Sequence, residues 1–229
     1  MSFAVPSPGS AAVVGGGPAG LMAAETLVSA GVQVTVYEHR SSPGRKFILA
    51  GRGGLNLTHS EPLEQFLGRY GSSGEVFEST IRSFDAGDLR AWCAELGEST
   101  FVGTSGRVFP KSFRSTPLLR AWLRRLSGSG VEFRLHHRWR GWAPGSAGGH
   151  LFFTDADEQE METSHDVAVL ALGGASWPRV GSDGGWVDRF VDRGIVVAPL
   201  RPTNCGVRVA WSKVMMERFA GVPLKNVAV

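Results

Sequence analysis

The feature that most limits how this chain folds is a glycine-rich turn between an apolar run and an alanine-rich helical pattern. Residues 11–14 are apolar without alternation, as in a strand buried on both faces of a parallel sheet. Gly15, Gly17 and Gly20 follow with G-x-G-x-x-G spacing. Apolar residues then recur at helical intervals as far as Gly31, which is placed to cap a helix. A second strand-like run completes a βαβ unit.

Each part of this unit has a physical task in binding a dinucleotide. Gly15 permits a tight turn, Gly17 lets the backbone approach a pyrophosphate, and Gly20 lets the helix pack closely on the strand. The helix N-terminus offers amide donors and a partial positive charge to the phosphates. An acid at the end of the second strand accepts hydrogen bonds from a ribose diol and disfavours a 2′-phosphate. The contacts expected here are Gly15, Gly17, Pro18, Ala19, Gly20, Glu38 and His39.

Composition and charge limit the classes of partner that we expect this chain to bind. The 229 residues include 24 Lys and Arg against 21 Asp and Glu, a balance too even to predict a polyanionic partner. The N-terminus lacks the pattern of a signal peptide, no apolar stretch reaches membrane-spanning length, and Cys93 and Cys205 lie far apart without C-x-x-C spacing. We expect a cytoplasmic protein with a small-molecule substrate, no nucleic-acid or membrane partner and no metal. The sequence leaves the oligomeric state open.

A second glycine-rich segment, PGRKFILAGRGGLNLTHS at residues 43–60, has the composition of a phosphate-handling loop. Its glycines free the backbone for close approach to a ligand, and Arg45, Lys46 and Arg52 place cations beside them. The alternative is that Arg45 and Lys46 are ordinary surface cations. Asn56 suits a flavin ring, because an uncharged amide both donates and accepts hydrogen bonds.

This segment resembles a bacterial family of FAD-dependent flavoproteins often labelled aminoacetone oxidase-like. The resemblance covers nearly the whole chain, through GGGPAG, GTSGRVFPKSFRSTPLLRAWLRRL, ALGGASWPRVGSDGGW and LRPTNCGV. It implies an α/β fold with a Rossmann-like parallel-sheet FAD-binding domain over residues 1–198, including a helical segment at 61–127 and a β-meander at 130–163. Residues 199–229 would begin a second, truncated domain. The resemblance also places the 43–60 loop along the pyrophosphate and flavin, with contacts from Arg45, Lys46, Gly53, Gly54 and Asn56.

The end of the chain departs from the resembled proteins. Those proteins continue through a second domain and return to the flavin domain, whereas this sequence stops at GVPLKNVAV. We expect either a fragment of a longer protein or a naturally shortened gene product, and in both cases independent FAD retention has to be tested. The apolar, strand-like end predicts an exposed sheet edge.

The middle of the chain is mainly organisational. An apolar stripe at helical spacing is typical of a buried helix face and comprises Leu118, Leu119, Trp122, Leu123 and Leu126. Residues 105–116, SGRVFPKSFRST, mix basic and aromatic side chains. A loop that covers the cofactor or substrate is favoured there over a nucleic-acid surface, because nothing elsewhere extends the segment into a basic face.

The later part of the chain predicts strands and further cofactor contacts. Alternation from residue 130 and an acidic turn at 155–158 indicate antiparallel strands, and the resemblance places an adenine contact near Trp139, with packing in the sheet as the alternative. The apolar run 167–172 predicts a buried parallel strand, and Gly173 and Gly174 join the site because ligands bind at the carboxyl ends of such strands. Ser182, Asp183 and Gly184 either close the loop below or form a plain turn.

Other chemistries lack their motifs. The sequence has no G-K-[ST] arrangement, no G-x-S-x-G elbow, no cysteine in the loop after the second strand and no H-E-x-x-H. The leading hypothesis is an FAD-dependent oxidoreductase, or its cofactor-binding portion, which transfers hydride through flavin to or from a small molecule such as aminoacetone, with NAD(P)H as a candidate electron donor. The alternatives are a non-catalytic FAD-binding fragment and a flavoprotein acting on RNA. No catalytic acid or base is assigned, and His59 is either a candidate or a surface histidine.

Overall fold

The computed structural model describes residues 9–51, 54–71, 74–143, 145, 150–181, 183–201 and 209–222. Contacts divide the chain into two units, Met1–Ala198 and Pro199–Val229. Several residues singled out in the sequence lie outside the described ranges: Arg52, Gly53, Ser182, Cys205 and the strand-like end at 223–229.

The first unit contains ten strands, seven α-helices and a 3-10 turn in its described part. In chain order these are β1 (Ser10–Val14), α1 (Pro18–Ser29), β2 (Gln33–Glu38), α2 (Arg45–Ala50), β3 (Thr58–His59), α3 (Leu63–Gly68), α4 (Gly74–Ser83), α5 (Ala86–Glu95), β4 (Thr100–Val102), β5 (Arg107–Pro110), α6 (Ser115–Gly128), β6 (Glu132–Leu135), β7 (Arg138–Trp142), β8 (His150–Thr154), β9 (Glu160–Ser164), β10 (Val167–Leu170), the 3-10 turn (Pro178–Val180) and α7 (Val187–Val191).

Four parallel strands form the central sheet in the order β10-β1-β2-β6. Val13 pairs with Val36 on one side and with Val169 on the other, so the carboxyl ends of three strands lie at one edge of the sheet. Alternate β1 residues enter two cores: Ala11 and Val13 face the helices, and Ala12 and Val14 face the antiparallel strands. The prediction of a first strand buried on both faces is confirmed.

Helix α1 begins and ends as its sequence predicts. Gly17 precedes it with extended backbone, and Pro18 occupies the first turn, where its missing N–H costs no helical hydrogen bond. At the other end Gly31, with φ 81°, donates its amide to the Val28 carbonyl oxygen at 3.0 Å, and the next amide bonds to the Leu27 oxygen at 3.1 Å. This paired closure is a Schellman motif, which requires the left-handed backbone that glycine adopts readily.

The two faces of the sheet are covered by different layers. On one face, the predicted stripe of α6 packs into the core, with Leu118, Leu119, Trp122 and Leu126 buried and Leu123 partly buried. On the other face lies the antiparallel sheet β7-β8-β9. The predicted hairpin with its acidic turn is confirmed as β8 and β9, and the turn contains Glu158 at φ 56°.

The predicted meander begins too early. Residues 132–135 form β6, which pairs in parallel with β2 in the central sheet instead of joining the antiparallel strands. The chain then turns at His136, with φ 60°, and Trp139 lies in the next strand, β7. Alternation alone cannot distinguish these cases, because a partly covered edge strand of a parallel sheet also shows period two.

Two further strand predictions are corrected. The segment predicted to be mostly helical, 61–127, contains strands β4 and β5, which form an antiparallel sheet with β3, and a third of the expected loop at 105–116 is strand β5, in which Val108 and Pro110 are buried. The run at 167–172 is a strand only as far as Leu170, and it is half-buried because β10 lies at the edge of the sheet in the described part.

The second unit contains one helix in its described part, α8 (Lys213–Phe219). The Ser212 hydroxyl caps it by accepting the Met215 amide at 3.3 Å. Across all described residues, no helix combines the length and apolar character needed to cross a membrane.

Candidate dinucleotide site

The turn between β1 and α1 is shaped by glycines that no other residue could replace without movement. Gly15 has φ 108°, and its amide donates to the Tyr37 carbonyl oxygen at 2.8 Å. A Cβ on Gly15 would collide with the Ala171 carbonyl oxygen, and one on Gly20 would collide with the Gly15 carbonyl oxygen. Gly15 therefore fixes the turn against the neighbouring strand end, and Gly20 fixes the helix against the turn.

Gly17 is different, because a Cβ there would meet no atom within 4 Å. It precedes α1 with φ −78°, so its backbone conformation does not require glycine. No side chain caps the helix, and the first amides of an α-helix have no acceptor within the helix. The open space over Gly17 thus lies where amide donors and the positive end of the helix dipole favour an anion.

Glu38 holds this turn by accepting backbone amides. Its Oε2 accepts the Gly16 amide at 2.9 Å, and its Oε1 accepts the Arg40 amide at 2.8 Å and lies 3.0 Å from His39 Nδ1. Burial raises the pKa of the carboxyl, but hydrogen bonds from His39, Arg40 and Gly16 outweigh burial and leave the pKa below its ordinary value. The carboxylate is therefore ionised at neutral pH, and Oε2 keeps capacity for a second donor.

Gly16 joins the two glycine-rich segments. Its amide binds Glu38, and its carbonyl oxygen accepts the Gly44 amide at 2.7 Å. Gly44 has φ 71° and comes directly before α2, so the second segment begins against the first. The arrangement brings Arg45 and Lys46 to the same space as Gly17.

A cavity of about 870 Å³, the large cavity, opens over this turn. Its volume falls within the roughly 300–1,000 Å³ of sites that hold small molecules and cofactors. Away from the turn it is walled by apolar side chains of several helices and of the second segment: Met22, Phe47, Leu55, Leu57, Leu89, Trp92 and Trp122. The predicted contacts that line it are Gly15, Gly17, Pro18, Ala19, Glu38, Arg45, Lys46, Asn56 and Gly173.

A second cavity of about 240 Å³, the small cavity, adjoins the large one and also reaches Gly15 of the turn. His39 and Trp139 line it, together with Tyr37 and Asp183. The two cavities share lining residues: Gly15, Leu172, Gly181 and Trp186. The two cavities, of unequal size, therefore adjoin each other at Gly15 of the glycine turn.

The remaining predicted contacts lie elsewhere. Gly20 is buried beneath the turn, and Gly174 lines neither cavity. Gly54 has φ 107°, packs against Phe113 and lines a separate cavity of about 690 Å³. His59 lies in β3, with Nε2 3.0 Å from the Ser105 carbonyl oxygen, and does not line the large cavity. In the described ranges, no three His, Cys, Asp or Glu side chains are grouped to hold a metal ion.

Sequence reasoning missed three residues of the site. Gly181 has φ 92°, and a Cβ there would collide with His39, so it closes tightly over the end of β2. Trp186 donates its indole N–H to the Gly173 carbonyl oxygen at 2.9 Å and lines both cavities. Arg40 lines the large cavity, and its Nε is buried without a hydrogen-bond partner in the described part of the chain. Two signals were available in the sequence: Gly181 directly follows a turn that begins with Pro178, and Arg40 is a cation two residues after Glu38.

The fold and the glycine turn define a Rossmann-type dinucleotide-binding domain. The family described as HI0933-like protein Rossmann domain matches residues 9–224, and the chain belongs to this family, within the superfamily of NAD(P)- and FAD-dependent oxidoreductases. The thiamine thiazole synthase of Metallosphaera sedula is 28% identical over 177 residues, which are 74% of this chain and 59% of that protein. The chain therefore spans somewhat more than half the length of that relative.

Solved structures show the same fold. The open conformation of a flavocytochrome c3 fumarate reductase superposes with a TM-score of 0.64 at 17% identity, over 80% of this chain and 40% of that one. The 3-ketosteroid-Δ4-(5α)-dehydrogenase of Rhodococcus jostii RHA1 gives a TM-score of 0.51 at 16% identity, over 73% and 46%. At these identities the likeness supports the fold, and the chemistry has to be argued from the site.

Proposed function

We propose that this chain binds FAD and is an oxidoreductase, or the cofactor-binding part of one, that acts on a small molecule by hydride transfer through the flavin. The observation that carries the proposal is the glycine turn, held by Glu38, with a large and a small cavity that adjoin each other at Gly15. Membership of the HI0933-like Rossmann family supports the same cofactor class.

The residues at the turn fit a pyrophosphate. Gly17 leaves open space over the helix amides, which a side chain would fill. Lys46 adds a cation nearby, with Nζ donating to the Ser176 hydroxyl at 3.0 Å. In our proposal Gly15, Gly17 and Ala19 hold the phosphates, and Glu38 accepts a hydrogen bond from the adjoining ribose.

The apolar wall of the large cavity favours a flavin over a nicotinamide. Trp92 and Trp122 contact each other edge to face, with ring centroids 4.7 Å apart, and both line the cavity. A large, mostly apolar ring system gains from such a wall, while Asn56 can hydrogen-bond to its polar edge. We assign the small cavity, beside His39 and Trp139, to the adenine half.

Bound flavin supplies the hydride chemistry, and the protein contributes binding and orientation. The apolar wall would shield a bound ring from water, and Trp186 fixes the backbone at Gly173, which lines the same cavity. An amine such as aminoacetone is the substrate class we propose, with NAD(P)H as a candidate electron donor. No acid or base is assigned, because no titratable side chain other than Glu38 and the cations Arg40, Arg45 and Lys46 lines the large cavity in the described part.

The test begins with the purified chain, which should bind one FAD per molecule and release intact FAD on denaturation. Titration of the cofactor-free protein with FAD, FMN and NAD⁺ by calorimetry should rank FAD first. A protein that retains NAD⁺ and no flavin would contradict the proposal.

Two glycine variants make the site test specific. Gly17→Ala should weaken FAD binding by about 10-fold or more, since the new methyl group enters the space assigned to phosphate, without lowering the melting temperature. Gly128→Ala is the matched control, because this α6 glycine also has nothing within 4 Å of a Cβ and lies outside the cavities. Equal FAD affinity in the two variants would contradict the placement of the pyrophosphate.

A further inference from the structure

Arg40 is one of three cationic side chains that line the large cavity in the described part of the chain. Its Nε is buried and has no hydrogen-bond partner in the described part of the chain. A buried polar group without a partner costs free energy, so its retention points to a partner that the protein itself does not supply. The guanidinium is always charged and offers five N–H donors in a planar fork.

The backbone around Arg40 is fixed on both sides. Its amide donates to Glu38 Oε1 at 2.8 Å, and its carbonyl oxygen accepts the His136 amide at 3.1 Å. Gly181 packs against the side chain, since a Cβ on that glycine would lie 3.0 Å from Arg40 Nε. Arg40 is therefore held in place before any ligand binds, which lowers the entropy cost of using it.

The position of Arg40 distinguishes two anions that it could bind. A guanidinium after the acid of a Rossmann strand accommodates the 2′-phosphate of NADP in some proteins. Arg40, however, lines the large cavity together with Gly15, Gly17 and Ala19, and it does not line the small cavity next to His39. It thus shares a cavity with the glycine turn and does not line the cavity that we assign to the adenine half.

We propose that Arg40 is the charge that selects a pyrophosphate-bearing ligand, by donating from its guanidinium to the phosphate oxygens held over the Gly17 turn. This inference rests on the proposed function, and it adds a residue and a ligand preference to it. The helix amides provide partial charges only, Arg45 and Lys46 add two further cations at the same cavity, and Arg40 differs from both in having a buried donor without a partner in the described part of the chain.

The proposal predicts opposite effects of Arg40→Ala on binding and on stability. Affinity for FAD and for ADP should fall by about 10- to 100-fold, as expected for hydrogen bonds to a charged group, while affinity for adenosine should change less than about twofold. The melting temperature of the cofactor-free protein should stay equal or rise, since the side chain has no ion pair to lose in the described part of the chain and the buried, unpartnered Nε is removed. A residue with a structural role would lower the melting temperature.

The experiment measures binding of FAD, ADP, adenosine, NAD⁺ and NADP⁺ at low and at raised salt for the full chain and three variants. Arg40→Lys should be intermediate, because it keeps the charge without the fork, and Arg40→Ala should show a weaker salt dependence. Arg120→Ala, an exposed arginine of α6 outside both cavities, controls for the loss of one positive charge and should behave as the wild type.

Three results would overturn the inference. Arg40→Ala could bind FAD and ADP as the wild type does, it could lose adenosine as strongly as ADP, or it could lose only the preference between NADP⁺ and NAD⁺. The outcome is separable from the proposed function: if the wild type binds ADP through Arg40 but no FAD, the flavin proposal fails and this inference stands. If it binds neither, both fail.

Discussion

Two carboxylates, Glu38 beside the N-terminus of α1 and Glu25 within α1, have different roles in the structure. Glu38, at the carboxyl edge of the sheet, accepts two backbone amides of the site. Glu25, further along α1, accepts side-chain donors only: the indole N–H groups of Trp92 at 3.1 Å and Trp122 at 2.6 Å, and Arg125 at 3.0 Å. The first acid shapes a loop that faces a ligand, and the second joins α1 to α5 and α6.

The difference shows that, within one small domain, the contacts that shape the ligand site and the contacts that stabilise the helix packing belong to different residues. Backbone amides cannot be exchanged by mutation, so a carboxylate that binds them fixes the path of the chain at the cavity. Indole and guanidinium donors position whole helices, and they saturate Glu25 with partners from the protein itself. We therefore expect changes at Glu38 to affect ligand and fold together, and changes at Glu25 to affect the fold alone.

The largest expected effect is that of Glu38→Ala. The amides of Gly16 and Arg40 would lose their acceptor, which should lower the free energy of unfolding by about 3–4 kcal/mol, and FAD affinity should fall about 100-fold or more as the turn loosens. Denaturant unfolding and FAD titration measure the two quantities. Glu38→Gln keeps one carbonyl acceptor and should lie between the variant and the wild type. A fully stable Glu38→Ala protein that binds FAD normally would contradict the role of Glu38 in holding the turn at the ligand site.

Glu25→Ala should produce a smaller and more selective effect. Two buried indole donors and Arg125 would lose their acceptor, lowering the free energy of unfolding by about 2–3 kcal/mol, while FAD affinity of the folded protein should change less than about threefold. Glu95→Ala is the control, since Glu95 is largely exposed and reaches Arg125 only at 3.5 Å, so its loss should cost under about 0.5 kcal/mol. A large loss of FAD affinity in Glu25→Ala would show that the helical wall also positions the ligand.

The contrast also explains what the sequence could predict. The path of residues 10–38 follows from local patterns: an apolar run, glycines at fixed spacing, a helix with its cap, and an acid at the strand end. Glu38 was found because motif spacing encodes its position relative to the turn. Glu25 has no such signal, because its partners lie 67 to 100 residues away and only packing brings them together.

The errors have the same origin. Period-two alternation predicts a half-covered strand but does not identify the strands that pair with it. The sequence therefore predicts β6 in the antiparallel meander, whereas β6 pairs with β2 in the central parallel sheet. The two-residue strand β3 pairs with β5, which is distant in sequence, so it has no local signal, whereas β4 and β5 form a short local hairpin that the helical reading of this segment overlooked. Arg40 and Gly181 belong to the site only because the fold brings them together. In the sequence Gly181 is one of many glycines, and its role becomes visible only where it packs against His39 and Arg40.

The smallest expected effect is the loss, at low pH, of the stability that the Glu38 carboxylate contributes. The pKa of Glu38 lies below its ordinary value in the folded protein because hydrogen bonds from His39, Arg40 and Gly16 outweigh burial, and in the unfolded chain it is about 4.3. A depressed pKa contributes stability above the unfolded value, and that contribution is lost as the pH falls through the folded value. The difference in unfolding free energy between the wild type and Glu38→Gln should therefore be constant from about pH 8 to 6 and shrink below about pH 4. Denaturant unfolding across this range measures it, and a difference that grows on acidification would show that the carboxylate is destabilised, not held, by the amides of the turn.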